Sequence, residues 1–218
     1  MPQAPGTSRS PTTPTWGAVV PVKRLDVAKS RLAAYGDPVR AELALAFACD
    51  VVTACLSCVS VSAVVVVTDD GRAAKVLRGL GAQVVPDGPD RGLNPALAHG
   101  ARVIRAALPA VGVVAVSADL ASLRSEDLAA MLVGVPRGQR AFVADSDRLG
   151  TTLLAACAGV ALLPSFGLHS RARHLASGAI ELEAGEALRR DVDTPDDLGQ
   201  ALLLGVGRHT AQALARLA

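Results

Sequence analysis

Aromatic residues are scarce in this 218-residue sequence, at 2% of the chain. Proteins that bind single-stranded nucleic acid stack bases on aromatic side chains, so this shortage argues against that class. An excess of one charge is also missing, because 22 lysines and arginines oppose 20 aspartates and glutamates and leave a net charge of +2. So small an excess predicts neither a nucleic-acid partner nor a membrane partner. A ligand site must therefore be sought in local motifs.

Long apolar runs and cysteine frameworks are missing as well. No stretch reaches the roughly 18 apolar residues of a membrane span, and the N-terminus lacks the apolar segment of a secretory signal, which together predict a soluble cytoplasmic protein. Cys55 and Cys58 form a lone CxxC pair, with no second pair or histidine pair to complete a zinc site. We expect these cysteines to pack in the core.

The domain organisation follows from proline content and length. Residues 1–15 contain four prolines among serines and threonines, a composition that predicts a disordered tail. The remainder, residues 16–218, is half hydrophobic in a chain of this length and is predicted to form a single domain.

Apolar runs that are typical of buried strands alternate with helical periodicity along this domain. Strands are predicted near residues 17–22, 61–67, 82–85, 111–116, 141–144 and 152–156, and helices near 38–56, 71–80, 95–108, 125–131 and 198–204. Asp37 is expected to cap the first helix, and residues 194–197 predict a capped start for the last. The alternation predicts an α/β fold, with a mostly parallel sheet that helices cover on both faces.

Charged residues follow several predicted strands, where ligands of such sheets bind. Lys23 and Arg24 follow the first strand, and the carboxylates that follow later strands are Asp69, Asp70, Asp87 and Asp119. If these groups meet at one edge, they suit a polyphosphate that is held by basic side chains and a hard metal ion. Neither a Walker motif nor GxGxxG is present. The loop with Lys23, Lys29 and Arg31 can equally be a solvated basic loop.

Three carboxylates are candidate metal ligands. Asp191 and Asp193 are two residues apart, so in an extended segment both point to one side. Together with Asp119, and without a neighbouring histidine or cysteine, they favour magnesium over zinc. The alternatives are a helix cap or loop carboxylate for Asp119, and a solvated turn for the pair.

A phosphate-binding region is predicted further along the chain. It combines the hydroxyls of Thr151, Thr152 and Ser170 with the backbone of Gly167 at the start of a helix. Helix capping is the alternative role for Ser170.

Six motifs together resemble one protein family. They are VPVKRLDVAKSRL at 20–32, GLNPAL at 92–97, ADL at 118–120, GTTLL at 150–154, FGxxS at 166–170 and DVDTPDDL at 191–198. In their order and spacing they are similar to the phosphoenolpyruvate and 2-phospho-L-lactate guanylyltransferases of deazaflavin coenzyme biosynthesis. The resemblance runs from about Trp16 to Gly205. One departure is Ala121, where relatives often have a proline.

The resemblance implies a nucleotide-diphospho-sugar transferase-like (Rossmann-like) fold and assigns roles to residues. Two magnesium ions would be held by Asp119, Asp191 and Asp193. The acceptor phosphate would contact Thr151 or Thr152, Gly167 and Ser170. Lys23 and Lys29 would face the triphosphate, Asn94 would lie near the nucleoside, and Lys23, Lys29 and Asp119 would be the catalytic residues.

The implied reaction transfers GMP from GTP to phosphoenolpyruvate and releases pyrophosphate. A downstream transferase that takes up a labile product is a further expected partner. The alternatives are 2-phospho-L-lactate as acceptor, a molybdopterin guanylyltransferase, a sugar-transferring enzyme and a nucleotide-binding module without turnover. A molybdopterin enzyme would normally carry a Leu-x-Gly-Gly-x-Ser loop after the first strand, whereas residues 20–24 here are VPVKR.

Overall fold

The computed structural model describes residues 15–88 and 92–216. Seven strands occur in this part of the chain: β1 (Trp16–Pro21), β2 (Val61–Val67), β3 (Gln83–Val85), β4 (Gly112–Val116), β5 (Arg140–Ala144), β6 (Thr151–Ala156) and β7 (Ile180–Glu181). The predicted disordered tail falls almost wholly outside the described residues. Thr15 is described, and its carbonyl accepts a hydrogen bond from the Gly112 backbone at 3.1 Å.

Helices connect these strands. They are α1 (Asp37–Ser57), α2 (Gly71–Gly79), α3 (Leu93–Ala107), α4 (Ser125–Val133), α5 (Ser170–Ala176), α6 (Glu186–Arg189), α7 (Pro195–Leu204) and α8 (Arg208–Ala215), with a short 3₁₀ helix at Ser30–Tyr35. Within the described ranges, none of them has the length and apolar character that a bilayer crossing requires.

The strands form one sheet in the order β3-β2-β1-β4-β6-β5-β7. Strand pairing is parallel except on the two sides of β6, which runs antiparallel to both β4 and β5. The prediction of a mostly parallel sheet is therefore confirmed. The reversal of β6 brings its first residues to the edge where β4 ends, since the Ser117 backbone donates to the Thr152 carbonyl at 2.9 Å.

Both faces of the sheet are covered, as predicted. Val20 of β1 and Val66 of β2 pack in a cluster with residues of α1, α2 and α4, whereas their neighbours Val19 and Val65 pack with residues of α3. This alternation follows from the period of two in a strand, which sends successive side chains to opposite faces. Strands buried on both faces explain the continuous valine runs in the sequence.

The helix ends test two local predictions. Thr194 caps α7, its hydroxyl accepts from the Asp197 backbone, and the Asp197 carboxylate accepts from the Thr194 backbone at 2.8 Å, so the predicted capping box is confirmed. The prediction for Asp37 is wrong, because Gly36 is the cap of α1 and Asp37 is already helical.

The cysteines pack in the interior, as predicted. All four are free thiols, and Cys49, Cys55 and Cys58 are buried. Burial raises the pKa of Cys55 to about 12 and, with a contribution from Asp50, raises that of Cys49 to about 11. Thiols that stay protonated at neutral pH are poor metal ligands and nucleophiles.

We expect Gly100→Ala to lower the free energy of unfolding by about 1–3 kcal/mol, because a methyl group there overpacks the interface between α3 and the sheet. A Cβ at this position would lie 2.5 Å from Val19 Cγ1 and 2.9 Å from Val67 Cγ2. Both valines are β-branched residues of buried strands, so neither can move aside easily. Urea denaturation measures the change.

The matched control for this substitution is Gly199→Ala within α7, where a Cβ would have no atom within 4 Å apart from its chain neighbours and the backbone of its own helix. We expect it to raise the free energy of unfolding by about 0.5–1 kcal/mol through helix propensity. Equal effects of the two alanines would contradict the close packing of α3.

Candidate functional site

A cavity of about 780 Å³ opens at the carboxyl ends of β1, β4 and β5. Eight of the ten predicted site residues line it, namely Lys23, Lys29, Asp119, Thr151, Gly167, Ser170, Asp191 and Asp193. Thr152 and Asn94 are not among the lining residues. The sequence motifs therefore converge on one site although they are up to 170 residues apart.

A carboxylate trio, Asp119, Asp191 and Asp193, forms one wall of this site. The Val192 backbone donates to the Asp119 carbonyl at 3.1 Å, and the Val192 side chain is fully buried. Because Val192 points into the core, its two neighbours flank Asp119. One carboxylate oxygen from each of the three residues lies within 4.8 Å of the other two.

Lys29 neutralises part of the trio. Its ammonium forms an ion pair with Asp119 and lies 2.6 Å from Asp193 Oδ1. Burial alone would lower the pKa of this lysine, but the two carboxylates outweigh burial and raise it. In return, Lys29 lowers the pKa of Asp193 although burial acts in the opposite direction. Lys29 and Asp193 therefore stay charged at neutral pH.

Asp191 is the carboxylate of the trio with which Lys29 forms no ion pair. Burial, followed by the proximity of Asp119 and Asp193, raises the pKa of Asp191 to about 7. Among the described residues nothing donates to the buried Asp119 Oδ1. The trio offers only oxygen ligands, and its charged carboxylates repel one another. A hard divalent cation stabilises such a group by neutralising the charge and binding the free oxygen of Asp119. The trio therefore fits a cation such as magnesium.

Hydrogen bonds from α1 and to Asp70 fix the basic loop at 23–31, so it is not a freely solvated loop. Arg40 of α1 is buried, and its guanidinium donates to the Ala28 carbonyl and, at 2.7 Å, to the Asp26 carbonyl. The Leu25 backbone donates to the Asp70 carboxylate at 2.9 Å. These bonds hold Lys23 and Lys29 at the cavity.

The expectation that all strand-end carboxylates meet at one edge is wrong in part. Asp70 caps α2 by accepting from the Ala73 backbone at 2.9 Å, and Asp69 accepts from the Asp87 backbone at 2.9 Å. Asp69 and Asp70 line a separate, smaller depression. Of these carboxylates, only Asp119 lines the large cavity in the described part of the chain.

The two adjacent threonines have different surroundings. Thr151 lines the cavity. Thr152 faces the other side of the sheet, where its hydroxyl donates to the Leu188 carbonyl at 2.6 Å. Alternation along β6 thus leaves only Thr151 directed toward the site.

The loop before α5 is held by side chains from two helices. Asn94 of α3 pairs with the Phe166 backbone in both directions, at 2.7 and 3.1 Å. Arg173 of α5 donates to the Ser165 carbonyl at 2.9 Å. Gly167 follows with a φ of +111°, a conformation that favours glycine. Asn94 here shapes this loop, and its contact with a nucleoside stays a prediction.

Ser170 is the first residue of α5, so residues 167–170 lie at a helix N-terminus, as the sequence predicted. The alternative role as a helix cap is wrong, because the cap residue is His169, which makes no side-chain cap bond. The Ser170 hydroxyl is buried, and within the described ranges it has no hydrogen-bond partner. An unpaired buried hydroxyl at a cavity wall is available to a ligand.

Sequence reasoning did not assign a role to His174, which contacts this region. Its Nδ1 lies 2.9 Å from Thr151 Oγ1 and its Nε2 lies 3.0 Å from the Ser165 backbone nitrogen. Burial, then the charges of Arg140 and Arg173, lowers the pKa of His174 to about 4. A lone histidine in an α-helical segment carries no sequence signal for such a contact.

We expect acidification to destabilise the protein through His174. The folded state keeps this ring neutral down to about pH 4, whereas the unfolded chain binds a proton near pH 6.5. The unfolded state therefore gains protons between these values, and the free energy of unfolding falls by up to about 3 kcal/mol as the pH is lowered through this window.

Urea denaturation at pH 7, 5.5 and 4.5 measures this loss. His174→Asn serves as the control, because it removes the titrating ring and leaves every other ionisable group. Parallel losses in the two proteins would show that His174 does not titrate as described.

The sequence of this chain is similar to those of known proteins. Residues 17–218 match the family described as "Guanylyl transferase CofC like". The chain is 54% identical to the phosphoenolpyruvate guanylyltransferase of Thermomonospora curvata, over 93% of this chain and 90% of that one. It is also 54% identical to the enzyme of the same name from Streptomyces coelicolor, over 93% and 97%.

Solved structures show the same fold at low sequence identity. One is a protein from Desulfovibrio desulfuricans that is assigned as a nucleotide-diphospho-sugar transferase. It superposes with a TM-score of 0.66 at 16% identity, over 92% of this chain and 94% of that one. CMP:2-keto-3-deoxy-manno-octonic acid synthetase, solved with CTP, gives a TM-score of 0.56 at 16% identity, over 87% and 98%.

Proposed function

Because this chain belongs to the CofC-like guanylyl transferase family and is a nucleotidyltransferase, we propose that it transfers GMP from GTP to phosphoenolpyruvate and releases pyrophosphate. The observation that carries the proposal is a single cavity that combines the carboxylate trio and two lysines with the unpaired hydroxyl of Ser170. These are the groups needed to hold a nucleoside triphosphate and a phosphate monoester side by side.

The reaction needs no protein nucleophile. An oxygen of the acceptor's phosphate forms a bond to the α-phosphorus of GTP, while the bond from that phosphorus to the β-phosphate oxygen breaks. The acceptor phosphate is already ionised at neutral pH, so no general base is required. The barrier is then mainly the approach of two anions and the charge that develops in the transition state.

Two lysines lower this barrier. We assign Lys23, which is exposed at the cavity, to the triphosphate. An ammonium has three donors, and Asp119 and Asp193 accept two of those of Lys29. The third donor remains for a phosphate oxygen of the transferring group. Lys29 stays charged because the carboxylates raise its pKa.

The carboxylate trio would hold the metal, for which we propose two magnesium ions. Bound there, magnesium would neutralise charge on the triphosphate and on the leaving pyrophosphate. Asp119 offers a buried oxygen, Oδ1, to which none of the described residues donates. Burial, and then repulsion by Asp119 and Asp193, raises the pKa of Asp191. A cation at this position would offset that repulsion.

The acceptor's phosphate is assigned to Thr151, Gly167 and Ser170. Thr151 is preferred over Thr152 because the Thr152 hydroxyl already donates to the Leu188 carbonyl. Ser170 supplies a hydroxyl that has no partner in the described part of the chain. The expected downstream transferase would take up the labile product.

A four-way assay tests this function. Purified protein with magnesium receives GTP or ATP, each with phosphoenolpyruvate or 2-phospho-L-lactate, and released pyrophosphate is measured. We expect release with GTP and phosphoenolpyruvate, and none after magnesium is chelated. The assay is repeated with the downstream transferase present. No pyrophosphate in any combination would contradict the proposal, and release of a nucleoside diphosphate would indicate a sugar-transferring enzyme instead.

A further inference from the structure

The position of the proton on His174 follows from its two hydrogen bonds. The Ser165 backbone N–H can only donate, so Nε2 of His174, 3.0 Å away, must be an unprotonated acceptor. A neutral imidazole carries one proton, which therefore lies on Nδ1. That nitrogen is 2.9 Å from Thr151 Oγ1, and it donates to the hydroxyl oxygen.

This arrangement limits what the Thr151 hydroxyl can do. Its oxygen accepts from Nδ1, so its own proton must be donated elsewhere. Among the described residues no other partner of this hydroxyl is found, and Thr151 lines the cavity. The hydroxyl is therefore presented to the cavity as a donor.

From these contacts we propose that His174 is a positioning residue, which fixes the Thr151 hydroxyl as a donor so that the site selects an acceptor-only, fully ionised phosphate. The inference rests on the proposed function for the identity of the acceptor. His174 does not touch the substrate and acts only through Thr151.

The surroundings of His174 keep this arrangement stable. The ring has no exposed surface, and it packs against Phe142 and Phe166 with ring centroids 5.6 and 5.4 Å away. An imidazolium would also donate from Nε2, but the partner found for this nitrogen among the described residues is the Ser165 N–H, which is itself a donor. The packed rings also prevent a flip that would exchange the two nitrogens.

Two substitutions separate the roles of the two ring nitrogens. In His174→Asn the amide nitrogen takes the position of Nδ1 and can still donate to Thr151. In His174→Gln the amide oxygen takes the position of Nε2 and can still accept from Ser165, while the donor to Thr151 is lost. We expect His174→Gln to raise the KM for phosphoenolpyruvate about tenfold, with the KM for GTP unchanged and kcat within about threefold. His174→Asn should keep the KM for phosphoenolpyruvate within about threefold of the wild-type value.

A double-substitution cycle then tests the route through Thr151. Thr151→Val removes the hydroxyl and keeps the shape of the side chain. We expect His174→Gln to have no further effect on the acceptor KM in the Thr151→Val background, because its effect requires that hydroxyl. An undiminished effect there, or equal effects of Asn and Gln at position 174, would reduce His174 to a packing residue.

The unmodified protein provides a second measurement, which does not depend on turnover or on the folding of variants. Nitrogen-15 NMR of labelled histidine at pH 7 should show His174 protonated at Nδ1 and not at Nε2. A proton on Nε2 together with normal pyrophosphate release would overturn this inference alone. A proton on Nδ1 without any pyrophosphate release would instead contradict the proposed function and uphold the geometry.

Discussion

Asp191→Asn and Asp193→Asn are each expected to reduce turnover at least about a hundredfold, because an amide cannot neutralise a catalytic cation as a carboxylate does. Both side chains have an oxygen within 4.8 Å of those of the other trio members. Steady-state pyrophosphate release at saturating magnesium and substrates measures the loss. Near-wild-type rates in both variants would move the metal site elsewhere.

Asp191→Asn should not lower the stability of the protein, although it lowers turnover. Burial and two neighbouring carboxylates raise the pKa of Asp191 to about 7, so the charged form is unfavourable in the metal-free protein. An uncharged amide removes that repulsion, and the melting temperature without magnesium should be unchanged or higher. Loss of turnover combined with retained stability separates a metal ligand from a structural carboxylate.

Asp147→Asn is the matched control for these two variants. Asp147 also lines the cavity but is exposed and lies outside the trio. The same change of charge and atom type there should leave turnover within about threefold, because surface charges are screened by solvent. A large loss at Asp147 would indicate a general electrostatic effect of the cavity rather than metal coordination.

Ser170→Ala is expected to raise the KM for phosphoenolpyruvate roughly ten- to a hundredfold with the KM for GTP almost unchanged. Loss of one hydrogen bond to a charged phosphate costs about 1.5–3 kcal/mol. The free protein should not lose stability, since the Ser170 hydroxyl is buried and has no partner in the described ranges. Removal of an unpaired buried hydroxyl is neutral or stabilising.

Ser122→Ala should give the reverse result. The Ser122 hydroxyl is buried and donates to the Ala201 carbonyl at 3.1 Å, outside the cavity lining. Its loss should lower the free energy of unfolding by about 1 kcal/mol and leave both KM values alone. An unchanged acceptor KM in Ser170→Ala would remove Ser170 from the site.

Local patterns in the sequence predicted the parts of the site that depend on neighbouring residues. Asp191 and Asp193 lie on one side because an extended segment has a period of two, and buried Val192 takes the opposite side. The cap of α7 was also predictable from a local pattern, because Thr194 and its partner Asp197 are three residues apart.

Features that depend on long-range contacts could not be predicted. The choice between Thr151 and Thr152 requires the direction of β6 and the position of Leu188, which accepts from Thr152. Asp70 was expected at the ligand edge, but it serves as the cap of α2. His174 lies 23 residues from Thr151 in sequence, and no local pattern connects them.

The most direct test of the central claim follows the phosphorus atoms of GTP. In parallel reactions, GTP carries the label on its α- or its γ-phosphate, and phosphoenolpyruvate is present or omitted. We predict that the γ label leaves in pyrophosphate only when phosphoenolpyruvate is present, and that the α label enters a rapidly quenched product that contains the acceptor. A γ label on the acceptor, or pyrophosphate release that does not require phosphoenolpyruvate, would contradict attack of the acceptor phosphate on the α-phosphorus.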